Sequence, residues 1–485
     1  MAFGWKLYGG DGRTPPPGEV VRPDERLTWP RTVGIGAQHV VAMFGATFVF
    51  PLVMGLDPNV AIMMSGVATI LFLLITQGQV PSYLGTSASF VGGVIAIRAA
   101  NGGDTIAADK LVTGSILVAG LVLAGCGLLL HYLGPDALNR IFPPAVTGGV
   151  VMLIGFGLAF VVADVYWPQD QWIALLTMLA VFLMTVLLRG FWARIAILLG
   201  LIVGVLLSWL ADQIYGQIDS PNQYNNLTRE LHDRISYDAL SQADWIGLPD
   251  FHGPAFKWSA IVLVLPAVIA LIAENTGHVK AVGEITQTDL DGQIGKAIFA
   301  DGVGTAVATS VGGSPTTTYA ENIGVMAATR VYSTAAYYVA GVVAILFGLC
   351  PKFGALVAAT PGGVLGGVTV VLYGMIGLLG AKIWSENGVD FANPINMVPI
   401  GAGIILAIGP VTQVINSDFQ LSGIAFGTIV VLGGWHLLRW LGPEHMRADL
   451  ARERRPRTVQ GTEREPEQPE PGDWEPEARE PEPTG

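Results

Sequence analysis

The chain has 485 residues, of which 51% are hydrophobic and only 13% charged, with a formal net charge of −12. A soluble protein of this length would divide into two or more domains with polar surfaces, and this composition excludes that arrangement. The charge does not point to a basic partner or a nucleic acid, because much of the acid lies after Pro443 and in the polar loop before Lys257.

Residues 1–30 are polar, proline-rich and charged, without the apolar core of a cleavable signal, and read as a cytoplasmic segment. Apolar stretches then follow near 32–55, 59–77, 83–99, 112–133, 143–164, 170–189 and 194–213. After a polar break at 214–256 they resume near 257–280, 293–312, 318–331, 333–351, 356–381, 395–411 and 422–441. Crossing a hydrocarbon core of roughly 30 Å takes about 20 helical residues, and backbone in lipid must satisfy its own hydrogen bonds. The expected fold is therefore an all-α membrane protein with 14 transmembrane segments. The many glycines suit tightly packed membrane helices.

Arg and Lys flank the first segment (Lys6, Arg13, Arg22, Arg26, Arg31) and follow the last (Arg439, Arg447, Arg452, Arg454, Arg455). The positive-inside rule places both termini in the cytoplasm of a cell whose inner membrane holds the chain. Arg140, Arg189, Arg194 and Lys382 agree with that scheme, whereas Arg98, Lys110 and Lys352 count against it. The loop 214–256, with six acids and two arginines, would face outward.

Seven segments on each side of the break imply a 7+7 inverted repeat. Two echoes support it. Residues 144–158 (PAVTGGVVMLIGFGL) resemble 361–378 (PGGVLGGVTVVLYGMIGL). The third and tenth segments both begin with Pro and carry hydroxyls, as Pro-Ser-Tyr-Leu-Gly-Thr-Ser at 81–87 and Pro-Thr-Thr-Thr-Tyr-Ala-Glu at 315–321. Such interrupted segments in matching places predict broken helices, with short extended stretches meeting at the bilayer midplane. Residues 443–485, rich in Glu-Pro pairs, read as a disordered tail.

Ionisable groups inside membrane segments are candidates for function. Glu274 ends a long apolar run, with His278 four residues on along the same helix face; a water-filled helix end is the alternative. Glu321, followed by Asn322, comes just after the second extended stretch, where a helix cap is the alternative. Asp301 suits a structural role as well as substrate contact, and His39 reads equally as a packing residue. Two carboxylates on one cavity repel anions and accept N–H donors, as a flat nucleobase provides. A carboxylate withdrawn from water also takes up a proton more readily, which supplies a route to proton coupling without a cofactor. Cys126 and Cys350 lie in apolar segments and give no metal or disulfide pattern. No enzyme motif (HExxH, GxSxG or a phosphate loop) is present.

The stretch 321–330, Glu-Asn-Ile-Gly-Val-Met-Ala-Ala-Thr-Arg, resembles the signature of the nucleobase–ascorbate (nucleobase:cation symporter-2) transporters. Gln38-His39 with MFGAT, LGTSASF, FADG and LYGMIG extend the likeness over about 30–442. Glu321 and the pattern Glu274-x-x-Gly277-His278 are similar to the uracil permeases; purine carriers have Gln at the first position, and xanthine carriers have Asp at the last. The resemblance implies proton-coupled uptake of uracil or a related pyrimidine across the bilayer by alternating access. It implies that Glu274 and Glu321 hold the base and that His278 supports Glu274. It also implies backbone contacts near Ala88 and Ala320 and a contact from Tyr373, with Asn322, Asp301 and His39 in support. The implied core domain comprises 31–137 and 257–353, and the gate domain 138–213 and 354–442, with homodimerisation through the gate. Uracil permeases carry Phe where Ala88 stands, which leaves room for thymine or a purine. A purine or xanthine symporter and an anion transporter of the same fold are the alternatives.

Overall fold

The computed structural model describes residues 4–16, 19–101, 103, 105–134, 140–221, 229–409, 411–416, 419–421 and 423–453. The expected core–gate boundary at 137/138 and residues 454–485 of the expected tail lie outside the described residues.

Helices α1 (Trp29–Ala42), α2 (Phe44–Met54) and α3 (Pro58–Ile75) open the chain. Pro58 sits in the first turn of α3, and the Asp57 side chain caps it by accepting from Asn59 N and Val60 N at 2.7 and 3.1 Å. The short strand β1 (Leu84–Thr86) then leads through one 3-10 turn (Ala88–Phe90) into α4 (Val91–Ala100), and α5 (Ile106–Leu133) follows. Next come α6 (Pro144–Gly157), a π turn at Val161–Tyr166, α7 (Gln171–Leu187) and α8 (Ala196–Tyr215).

Past the polar loop lie α9 (Trp258–Val264), α10 (Pro266–Thr286) and α11 (Ile294–Ser310). Strand β2 (Thr316–Thr318) leads into α12 (Ala320–Thr329). The chain continues with α13 (Thr334–Gly348), α14 (Pro351–Ala358), α15 (Gly362–Glu386), α16 (Pro394–Ile408) and α17 (Gly423–Leu441), and closes on α18 (Glu444–Glu453). Among the described residues eight helices are long and apolar enough to cross a membrane, and α13 with α14 forms a further pair bent by 81°. This is a mostly helical, multi-pass membrane protein.

Glycine sets the closest helix contacts. Helix α5 runs along α11, and a Cβ added to Gly302 would stand 2.3 Å from the Ala124 backbone nitrogen. The two echoing stretches of the sequence, now α6 and α15, also pack on one another: a Cβ on Gly155 would stand 2.2 Å from Gly377 N. Small residues let membrane helices approach this closely, and dispersion contacts then replace the missing hydrophobic drive between them.

Specific bonds hold described residues of the N-terminal segment and of the loop after α8. The N-terminal residues lie against the end of α12, where Val21 pairs with Val331 and Trp5 Nε1 donates to Thr334 Oγ1 at 2.8 Å. In the loop after α8, Arg234 bridges Asp170 at 2.7 Å and Asp212 at 2.9 Å. Burial works against its charge, and the two carboxylates more than offset that, so its pKa lies above the ordinary arginine value. The tail differs from expectation in its first turns. Helix α18 forms there because Leu450 is buried and Asn393 Nδ2 donates to the Met446 carbonyl at 2.9 Å.

The α5–α11 contact predicts the cost of filling it. Gly302→Val should lower stability by about 2 kcal/mol or more, as overpacking does, while Gly125→Val, with nothing within 4 Å of its Cβ, should change it little. Thermal unfolding of the two purified variants in one detergent checks this.

Candidate substrate cavity

Extended backbone in a membrane interior leaves N–H and C=O groups that water cannot satisfy. Strands β1 and β2 meet this demand by pairing antiparallel, with Leu84 opposite Thr318, Gly85 opposite Thr317 and Thr86 opposite Thr316. Ser87 N adds a bond to the Pro315 carbonyl at 2.9 Å. The outer edges are closed by helix hydroxyls. Thr69 on α3 accepts from Leu84 N at 2.9 Å, and Thr305 on α11 accepts from Thr316 N at 3.1 Å. Thr86 Oγ1 and Ser314 Oγ, 2.8 Å apart, link the two stretches again. The Tyr319 hydroxyl donates to the Thr86 carbonyl, and its ring lies over Gly85, where a Cβ would stand 2.1 Å from the ring. Only glycine fits there.

This crossing aims two helix starts at one place. The 3-10 turn Ala88–Phe90 leads into α4, and α12 begins at Ala320; both Ala88 and Ala320 line a cavity of about 220 Å³. Glu321, in the first turn of α12, and Glu274 of α10 line the same cavity, with His278 one turn further along α10. The opposite wall is apolar. Leu372, Met375, Ile376 and Leu379 of α15 face it at the i, i+3, i+4, i+7 spacing of one helix face, and Phe50 of α2 completes it. The volume is below the roughly 300–1,000 Å³ of sites for drug-sized ligands, so it suits a small molecule. Two helix N-termini and an apolar wall give backbone donors and a flat contact, and the two carboxylates give acceptors.

The remaining candidates fall behind or beside this cavity. Asp301 is fully buried on α11, its Oδ2 accepting from Asn275 Nδ2 at 2.6 Å. His278 Nδ1 contacts Thr318 Oγ1 of β2 at 2.8 Å. His39 Nδ1 contacts Asn322 Oδ1 at 3.1 Å and its ring lies 4.3 Å from that of Tyr337, which places both residues in the packing of α1, α12 and α13. Tyr373 is not among the lining residues. It is one position on from Leu372, so it points off the cavity-facing stripe into a separate space of about 480 Å³ beside Phe156 and Trp167. Its ring stacks on Phe50, 6.5 Å away at 16°. The sequence reading missed Phe50, Thr317, Tyr319 and Asn275. Tyr319 and Thr317 stood in the hydroxyl-rich stretch itself, and Asn275 is the polar neighbour of Glu274.

A bundle of apolar helices around a small, largely apolar cavity that holds two carboxylates is the architecture of a multi-pass membrane protein. Residues 30–416 match the Xan_ur_permease profile, described as the permease family. A putative pyrimidine permease RutG of Escherichia coli (strain K12) is 42% identical over 417 residues, covering 85% of this chain and 91% of that one. The uracil permease of Bacillus caldolyticus is 33% identical over 422 residues, covering 84% and 91%. The chain belongs to this permease family, the nucleobase:cation symporter-2 family. Among solved structures, the murine solute carrier 26 family member A9 anion transporter in the inward-facing state aligns with a TM-score of 0.61 at 11% identity, over 86% of this chain and 70% of that one. The transmembrane domain of the cyanobacterial bicarbonate transporter BicA aligns at 0.54 and 14% identity, over 78% and 94%. These last two show a shared fold.

The edge hydroxyls give a direct test of how the crossing is held. Thr305→Val keeps the shape but leaves the buried Thr316 N–H without its acceptor, at a cost of about 1–3 kcal/mol, and Thr69→Val should act alike on Leu84. Chemical denaturation compared with Thr185→Val, whose hydroxyl bonds only its own helix at Val181, checks that the loss is specific to the crossing.

Proposed function

We propose that this protein is a nucleobase permease that takes up uracil or a related pyrimidine together with protons. The observation that carries the reading is that Glu274 and Glu321, from two different helices, line one small cavity with the helix starts at Ala88 and Ala320. A pyrimidine carries adjacent N–H and C=O groups. The carboxylates accept from the N–H groups, the first-turn amides donate to the carbonyls, and the α15 stripe covers the apolar face of the ring. The names of the relatives point the same way.

Proton coupling resides in the same carboxylates. They are the acids at the cavity, and an acid that changes protonation with substrate bound couples the two fluxes without a cofactor. Transport proceeds by alternating access in a chain of 14 spans arranged as two inverted halves, both termini cytoplasmic, in the inner membrane. The core (31–137 and 257–353) carries the crossing and the acids, and moves against the gate (138–213 and 354–442), through which two copies pair. Two features of the structure support a core and a gate: the acids sit on one side of the cavity and the apolar stripe on the other, and Thr69 and Thr305 perform the same task in the two halves. An anion substrate is disfavoured, since the acids oppose the attraction of the helix starts.

In proteoliposomes, uptake of radiolabelled uracil should rise with an inward proton gradient, and Glu274→Gln or Glu321→Gln should reduce it at least about 100-fold, the scale of losing a charged hydrogen bond of roughly 3 kcal/mol. Competition with thymine, xanthine and adenine ranks the bases that the small Ala88 side chain admits. Sulfate uptake in place of uracil uptake would overturn the reading.

A further inference from the structure

Running back from the cavity wall at His278, four side chains from α10, α11 and β2 form one continuous row. Asn275 is fully buried, and its Nδ2 lies 2.6 Å from Asp301 Oδ2 and 3.0 Å from the Leu271 carbonyl oxygen. A carbonyl oxygen only accepts, so the atom facing it is the amide nitrogen and the carboxamide has one orientation. That holds whether Asp301 is ionised or carries a proton on Oδ1. The amide oxygen then faces the other way, 3.2 Å from Thr318 Oγ1. An amide oxygen has no hydrogen to give, so the single hydroxyl hydrogen of Thr318 is committed to Asn275. The Thr318 oxygen also lies 2.8 Å from His278 Nδ1. With its hydrogen already used, it can only accept there, and the hydrogen between them belongs to His278 Nδ1. A neutral imidazole with Nδ1 protonated has a bare lone pair on Nε2.

We infer that Asn275 is a positioning residue that sets the tautomer of His278, so that Nε2 meets the substrate as a hydrogen-bond acceptor. His278 lines the cavity with Glu274 and Glu321, and Nε2 joins the carboxylate oxygens as an acceptor shared by the two N–H groups of a pyrimidine. Asp301 anchors the far end of the row and is not among the residues that line the cavity. The inference deepens the proposed nucleobase reading and rests on it for the identity of the ligand, while the direction of the hydrogen bonds stands without any ligand.

Two measurements separate these layers. Solid-state NMR of protein labelled with nitrogen-15 in the histidine rings, with the His278 signals assigned by their loss in His278→Gln, reads the tautomer in substrate-free protein at neutral pH. The expected result is a protonated Nδ1 and a bare Nε2, with a second tautomer emerging in Asn275→Leu; a protonated Nε2 in the native protein overturns the inference. In uptake, Asn275→Ala should raise the KM for uracil about tenfold with kcat within about twofold, and the same change in a His278→Gln background should move KM by less than about twofold, the non-additivity of residues acting in series. Equal effects in both backgrounds overturn it. Failure of the native protein to take up uracil counts against the nucleobase reading and leaves the NMR result to decide the tautomer.

Discussion

A peptide group cannot be left unpaired in the middle of a membrane, and the architecture around the cavity follows from how that demand is met. Strands β1 and β2 satisfy each other across an antiparallel register, and Thr69 and Thr305 close the two free edges. The price is a crossing that tolerates little change, since the Tyr319 ring, Met43 and Thr47 crowd Gly85. The return is position. Each strand ends where a helix begins, and the two helix starts converge from opposite parts of the chain on the same 220 Å³ space. A continuous helix would carry its amides within its own hydrogen-bond ladder and present none to a ligand.

Charge then selects what such a site can hold. Two helix starts alone attract an anion, and the solved structures that share this fold include a bicarbonate transporter and an anion transporter by name. Here Glu274 and Glu321 stand beside the helix starts. In the proposed reading they convert an anion-attracting frame into one for a neutral ligand with N–H groups. The acids and the row leading back from His278 to Asp301 lie on α10, α11, α12 and β2, whereas the facing wall on α15 is apolar. In the proposed reading these two faces move against one another, and they touch directly where the Phe50 and Tyr373 rings stack.

Much of this was legible in the sequence for physical reasons. Apolar length marks helices in lipid, and a Pro-started, hydroxyl-rich stretch such as 315–321 can only be buried backbone in need of partners. Glu274 and Glu321 stood out because acids there are costly. What stayed hidden depended on rotation about helix axes and on contacts distant in sequence. Leu372 and Tyr373 are neighbours in the chain, yet one lines the cavity and the other a different space. The contact of the His278 ring with Thr318, forty residues away, has no signal in the spacing along the chain. The expected tail likewise begins with a helix, held by Leu450 and by Asn393.

The central claim is that a neutral base sits between Glu274 and Glu321 at the two helix starts. A structure determined with uracil bound tests it most directly. The account predicts the ring flat against the α15 stripe, with its N–H edge on the two carboxylates. Uracil seated instead beside Tyr373 and Trp167, with the Glu274–Glu321 cavity empty, would contradict it.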